Sequence, residues 1–369
     1  MAITRRTSIR YLLACALILY ILLVMLPVLV QPKLSTLGTA VLFTLSIVGG
    51  ESWTSYVYRP WCYKYECCMD DWIPGNTTAL ALSLKEQLYG QHLVHKTIIA
   101  AIRGHLDNPE PPHPLVISFH GPTGTGKNYV SKIIAESMFR EGLKSKYVHL
   151  RISTKHYPHR SDIKQYRKQI EHLISSKVAD CQRQLFIFDE VENMPPGLLD
   201  SFRPFLDYQE SIDGVDYRKS MFVFLSNIAA YAISNYTMNH YLDGNKREDI
   251  KLRDVEALIM KQAFNDKDTG MQHSRLLDSY LVSHFIPFLP LEIRHVRQCV
   301  NTELKARGFS QDESITEAVI EELQFYGPSR DAEIFALKGC KNVVEKLNLV
   351  TYEKFGYTEN MYRKKNDEL

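Results

Sequence analysis

Hydrophobic positions along the chain fall into three regimes. Residues 11–30 form an uncharged run rich in Leu, Ile and Val, and residues 34–50 form a second one broken by Gly38, Gly49 and Gly50. From about residue 88 the pattern becomes that of a globular protein, with an apolar helix over 88–106 stopped by Pro109, Pro111, Pro112 and Pro114. Short apolar runs at 115–120, 147–152, 185–188 and 221–225 then alternate with helical spacing. Val130, Ile133, Ile134 and Met138 mark one helix over 128–139, and Ile163, Tyr166, Ile170, Leu173, Ile174 and Val178 mark another that opens at Ser161. Uninterrupted runs of four or five apolar residues fit central strands of a parallel sheet covered on both faces. Beyond about Pro290 the pattern is purely helical, with Ile293, Val296, Val300 and Leu304 on one stripe and Ile315, Val319 and Leu323 on another. The pattern predicts an α/β, doubly wound parallel sheet followed by a small helical domain.

The first run has the ~20 residues that a spanning helix needs, more than the core of an ordinary signal peptide. Arg5, Arg6 and Arg10 place its N-terminal side in the cytosol, so it reads as a cleaved signal peptide or an uncleaved signal-anchor over 1–33. The second run, within 34–55, reads as a membrane-associating hairpin or interfacial segment. If only one of them spans, the body faces a lumen. Three features agree: glycosylation acceptors at Asn76-Thr77-Thr78 and Asn235-Tyr236-Thr237, the tail Asn366-Asp367-Glu368-Leu369, one residue away from a retrieval signal of the endoplasmic reticulum, and six cysteines beyond the first run. Cys62, Cys67 and Cys68 lack zinc-ligand spacing.

Composition adds one exclusion. The 369 residues carry 44 Lys and Arg against 42 Asp and Glu, a net charge of +2, which leaves no basic field for nucleic acid.

Gly121-Pro122-Thr123-Gly124-Thr125-Gly126-Lys127-Asn128 follows a strand and opens a helix, the placement of a phosphate-binding loop. The glycines let backbone N–H groups face phosphate oxygens, the helix N-terminus adds positive potential, and Lys127 reaches the β- and γ-phosphates. Asn128 stands where Ser or Thr normally ligates magnesium, so it can offer only a carbonyl oxygen. Strand 185–188 ends in Asp189 and Glu190, expected to hold magnesium and to deprotonate water. The next strand ends in Ser226-Asn227, an amide placed to fix the attacking water or the γ-phosphate.

These motifs resemble the torsins, AAA+ ATPases of the endoplasmic reticulum and nuclear envelope lumen. The resemblance rests on the loop with its unusual Asn128, on Phe186-Ile187-Phe188-Asp189-Glu190, Pro204-Phe205-Leu206-Asp207, Phe224-Leu225-Ser226-Asn227, Pro287-Phe288-Leu289-Pro290 and Gly339-Cys340-Lys341. It implies an AAA+ P-loop large domain over 56–288 and a small helical domain over 289–369. It also implies Gly90-Gln91 near the adenine, Asn227 as sensor 1, Lys341 as the sensor 2 cation, and ATP with Mg2+ as ligands. Cys299 and Cys340 would be a redox pair coupled to nucleotide binding. Further implications are self-assembly into rings or filaments, weak intrinsic hydrolysis, and activation by membrane-anchored partners with an AAA+-like luminal domain that supply the missing arginine finger.

Arg247, Arg253 and Arg275 lie beyond the sensor strand, where an in-chain finger could sit, but read as solvated helix charges. Two functions then compete: a chaperone-like, ATP-driven remodeller of luminal proteins, and a nucleotide-gated scaffold with negligible turnover. Retention of Asp189, Glu190 and Asn227 favours hydrolysis, because a scaffold needs no water-activating carboxylate. A cytosolic P-loop kinase or helicase would leave the leader unexplained.

Overall fold

Charge-free apolar runs become the inner strands of a five-stranded parallel sheet, in the order Val148–Ile152, Leu185–Asp189, Met221–Ser226, Leu115–His120, His284–Pro287. The computed structural model describes residues 62–265, 269–271, 281–309, 312–329 and 332–355. The two N-terminal apolar runs, Arg275 and the tail 366–369 lie outside the described residues. No helix among the described residues is long and apolar enough to cross a membrane.

The chain falls into two units that meet in sequence at Cys67 and Cys68. In the first, Cys62 and Cys67 are disulfide-bonded, with their Cα atoms 5.5 Å apart. In the second, a disulfide joins Cys68 to Cys181, across a sequence separation of 113.

Helix α1, Thr77–Gln87, starts where Asn76 Oδ1 accepts the Ala79 N–H at 2.9 Å. The helix expected over 88–106 is α2, His92–Asp107, which starts four residues late after a break that separates it from α1, a helix the pattern does not predict. Gly90 causes the break: it adopts φ +68°, and a Cβ there would come within 2.7 Å of the His295 ring.

Strand β1, Leu115–His120, runs into the glycine loop and α3, Lys127–Met138. Then follow β2, Val148–Ile152, and α4, Ile163–Asp180. Strands β3, Leu185–Asp189, and β4, Met221–Ser226, come next, with α5, Ala230–Leu242, and α6, Leu252–Asn265. Strand β5, His284–Pro287, was not legible in the sequence. Phe119, Phe186, Phe188, Phe222 and Phe224 are fully buried in the sheet, and stacking of Phe186 on Phe222 at 4.9 Å ties neighbouring strands.

A second core gathers α7, Ile293–Ala306, α8, Glu313–Glu321, and α9, Val343–Phe355, around Val296, Val300, Ile315, Val319 and Leu347. This region is not purely helical as the pattern predicts: β6, Phe325–Tyr326, pairs antiparallel with β7, Phe335–Ala336. Two-residue strands are too short to show a period.

Candidate functional site

Parallel strands end on one edge, and here β1, β3 and β4 deliver the loop, the carboxylates and the amide to the same place. Lys127, first residue of α3, lies almost wholly buried. Its Nζ donates to Gly121 O at 2.6 Å, Pro122 O at 3.0 Å and Asn227 Oδ1 at 2.9 Å. Burial pushes its pKa down to about 8, against the opposing pull of Glu192 and Asp189. The ammonium is thus held by neutral oxygens, and a phosphate is a stronger partner than any of them.

Asn128 Nδ2 donates to Asp189 Oδ2 at 2.6 Å. Both carboxylate oxygens are acceptors, so the amide nitrogen must face Asp189, and the Asn128 carbonyl oxygen is left available. Burial raises the Asp189 pKa despite that bond and the Glu190 N–H at 2.9 Å on Oδ1. One carboxylate and one amide oxygen fit magnesium, which keeps waters and substrate phosphates in its shell.

Glu190 takes the left-handed conformation, φ 56°, which turns its side chain off the end of β3. Its Oε2 accepts the Thr154 hydroxyl at 2.5 Å. Thr154 belongs to the one-turn helix Ser153–His156 that follows β2, and Ser153 Oγ anchors that turn on Asp189 O at 2.8 Å. The base candidate is therefore gripped from the neighbouring strand.

Sequence reasoning missed Glu192. Its Oε1 accepts both the backbone N–H of Asn227 at 3.2 Å and its Nδ2 at 2.8 Å, so the amide's oxygen faces Lys127. The signal was present as a third acid after β3, and it was not used.

Gly90 and Gln91 sit where α2 restarts. Gln91, 2 % exposed, donates from Nε2 to Thr125 O at 3.1 Å and to Leu289 O at 2.8 Å, and accepts the Leu289 N–H at 3.0 Å. It thus clamps the loop to the segment after β5. A cavity of about 380 Å3 opens beside Gly90, Gln91, His92, Arg247 and His295, within the size range of small-ligand pockets.

Arg247 corrects the solvated-charge expectation. Its side chain is 3 % exposed; Nε and Nη2 donate to Gly90 O at 2.9 and 2.7 Å, and Nη1 donates to Pro290 O at 2.8 Å. The guanidinium fork matches carbonyls brought together from two segments, a geometry that spacing along the chain cannot reveal. Burial pushes its pKa down to about 10, so it stays charged at neutral pH. Burial, with Arg247 and Arg294 nearby, pushes the His295 pKa down to about 3, and the neutral ring accepts the Glu292 N–H on Nδ1. Arg253 is exposed and pairs only with Asp254, as a solvated charge does.

The turn Gly339-Cys340-Lys341 lies on the loop. Cys340 N–H donates to Gly124 O at 3.1 Å, and a Cβ on Gly124 would come within 1.8 Å of Lys338 O. Lys341 is exposed, and its Cβ would lie 3.1 Å from a Cβ added at Gly124. Cys340 is disulfide-bonded to Cys299 of α7, with Cα atoms 6.3 Å apart. Asn76 is exposed, as is Asn235, although Thr237 of the second acceptor is buried and bonds Ile233 O at 2.8 Å.

A family model described as Torsin matches residues 62–188, and one described as Torsin-1A, C-terminal domain, matches residues 291–350. A Torsin-like protein of Caenorhabditis elegans is 39% identical over 309 residues, covering 83% of this chain and 86% of that protein. A Torsin-like protein of Drosophila melanogaster is 36% identical over 313 residues, covering 84% and 92%. Among solved structures, an ADP complex of Hsp104 from S. cerevisiae aligns with a TM-score of 0.52 at 17% identity, over 79% of this chain and 48% of that one. An Hsp104–casein complex aligns with the same TM-score at 18% identity. That likeness is one of fold, and this chain spans about half of the Hsp104 chain.

Proposed function

The chain belongs to the torsin family and has an AAA+ fold, and from that premise we propose that it is an ATPase that remodels proteins in the lumen of the endoplasmic reticulum and nuclear envelope. One observation carries the catalytic part: the ends of β1, β3 and β4 bring Lys127 onto Asn227 and its chain neighbour Asn128 onto Asp189, with Glu190 next along the chain. Lys127 and the loop amides bind the phosphates, and Lys341 adds charge from the facing turn. Asn227 orients water, and Glu190 takes its proton. Magnesium on Asp189 and Asn128 would neutralise charge on the β- and γ-phosphates.

Weak basal hydrolysis is part of this reading: Lys127 is engaged by Asn227 and Asp189 by Asn128, and a phosphate and a metal ion would compete with those bonds. This observation also supports the second reading, a scaffold that assembles with ATP and scarcely turns it over. Of the two candidate finger arginines among the described residues, Arg247 is locked on Gly90 and Pro290, and Arg253 is a solvated charge paired with its neighbour Asp254. The finger is proposed to come from a membrane-anchored partner with an AAA+-like luminal domain, within a ring or filament. The deciding experiment is phosphate release by the full chain, alone and with such a partner domain. Stimulation supports the ATPase, and absence of turnover under both conditions leaves the scaffold.

The luminal location rests on the sequence features of the N-terminal runs, the acceptors Asn76 and Asn235 and the tail. Endoglycosidase should shift the mobility of the cellular protein, whereas full protease sensitivity in intact microsomes would place the body in the cytosol.

The Cys299–Cys340 bond gives the site a redox input in this reading. It tethers to α7 the turn whose Cys340 N–H holds Gly124 O. Reduction frees the turn that carries Lys341, so the ratio of ATP to ADP affinity should change several-fold across a glutathione series. Cys340→Ser should abolish the change; an identical response in both proteins would mean that the bond is structural only.

A further inference from the structure

A second cavity lies away from the nucleotide site. It is a groove of about 790 Å3 between α4 and the end of edge strand β2. Residues 165–177 of α4 form its long wall, about 18 Å of helix. Tyr166, Ile170, Ile174 and Val178 take the buried face of α4, so the groove wall is the polar face. Arg151, Lys168 and Lys177 line it together with His156 and His172, and no carboxylate does. Lys168 and Lys177 have no ion pair among the described residues, and Arg151 bonds only its neighbour's carbonyl, Leu150 O, at 3.1 Å. Three cations facing one groove without a counterion raise its potential. Lys177 and Arg151 reinforce the burial that lowers the His149 pKa nearby.

From this juxtaposition of unpaired cations along an open groove, we propose that it binds an acidic, extended segment of a partner protein. Two observations select that occupant. Lys168 and Lys177 are nine residues apart, about 13–14 Å along α4 and about half a turn around it, so they flank the groove wall from two sides, a separation that a single phosphate group cannot bridge but carboxylates spaced along a peptide can. The beginning and end of the β2 edge are already closed: Val148 N donates to Ser145 O, and Ile152 N donates to His156 Nδ1, both at 3.1 Å. A partner therefore cannot simply add a strand there and must be read by side-chain charge, with Tyr157 as an apolar floor. None of these side chains belongs to the nucleotide site, so failure of this proposal leaves the ATPase reading intact.

The test uses the full chain and a fluorescein-labelled octaglutamate peptide, read by anisotropy, with octaglutamine and inorganic tripolyphosphate as comparators. Octaglutamate should bind at least about tenfold more tightly than octaglutamine, weakening as salt rises from about 0.05 to 0.3 M. Lys168→Glu/Lys177→Glu should lower its affinity by about tenfold or more. Lys168→Gln/Lys177→Gln should lower it less, with an unchanged thermal midpoint that shows the fold is intact. Equal binding of the two peptides, or unchanged binding by both variants, overturns the proposal. So does tripolyphosphate displacing the probe more effectively than unlabelled octaglutamate, which would make the groove a small-polyanion site. Loss of self-association in the variants without any peptide binding also overturns it, because the occupant would then be a second copy of the chain.

Discussion

A chain carrying Glu190→Gln is expected to bind ATP with unaltered affinity and to release phosphate about 10²- to 10⁴-fold more slowly, the usual consequence of losing a general base. The substitution keeps the volume of the side chain. It also keeps an oxygen for the Thr154 hydroxyl that now bonds Oε2, so the turn after β2 stays in place. Of the groups proposed to bind phosphate, Lys127 is held by Gly121, Pro122 and Asn227, not by Glu190. Binding and chemistry therefore separate cleanly, and the variant should accumulate with ATP and its activating partner. Single-turnover hydrolysis and nucleotide titration read the two quantities independently. Unchanged single-turnover hydrolysis would discard Glu190 as the base, and Glu192, the next carboxylate along the chain, would become the candidate.

The second large effect is expected at a residue that does no chemistry. Arg247→Met should cost about 3 kcal/mol of stability, since each buried carbonyl left without its donor costs about 1–3 kcal/mol; Arg247 also lies 3.6 Å from Glu292. Glu292 keeps Arg294 at 2.7 Å and is 16% exposed, so its charge is not stranded. The carbonyls of Gly90 and Pro290 lose their donors, and those losses set the cost. Arg247→Lys should recover only part of it, since an ammonium cannot span both carbonyls as the planar fork does. ATP affinity should fall as well, because Gly90 precedes Gln91, which fastens Thr125 to Leu289. Urea unfolding with and without ATP measures both effects. A loss under about 1 kcal/mol would mean that those carbonyls are satisfied in another way.

Arg247 also marks the limit of sequence reading at this site. The loop, β1, β3 and β4 were legible because each is a local pattern: a glycine spacing before a helix, or an apolar run ending in a polar residue. Their convergence was legible too, since parallel strands share an edge. Arg247 looks like any charge in Lys246-Arg247-Glu248-Asp249, and only folding brings Gly90 and Pro290 around it. Thr154 and Glu192 are similar cases, since their partners Glu190 and Asn227 become neighbours through strand order. Strand β5 was missed for another reason: four residues ending in proline carry almost no period. Helix α1 was not read at all, and the late start of α2 turned on one glycine, read too weakly against the apolar stripe around it.

The strand order has a consequence for how the protein is made. β1 is the strand that leads into the phosphate loop, yet its two neighbours are β4, from Met221, and β5, from His284. At synthesis rates of about 5–20 residues per second, β1 leaves the ribosome on the order of ten seconds before the strand that completes its second edge. Until then Leu115–His120, wholly buried in the finished fold, presents apolar faces and unpaired backbone. The nucleotide loop is thus present early in the nascent chain but has no frame until nearly all of the sheet has emerged. Truncations before residue 284 should yield aggregating chains rather than a smaller nucleotide-binding domain.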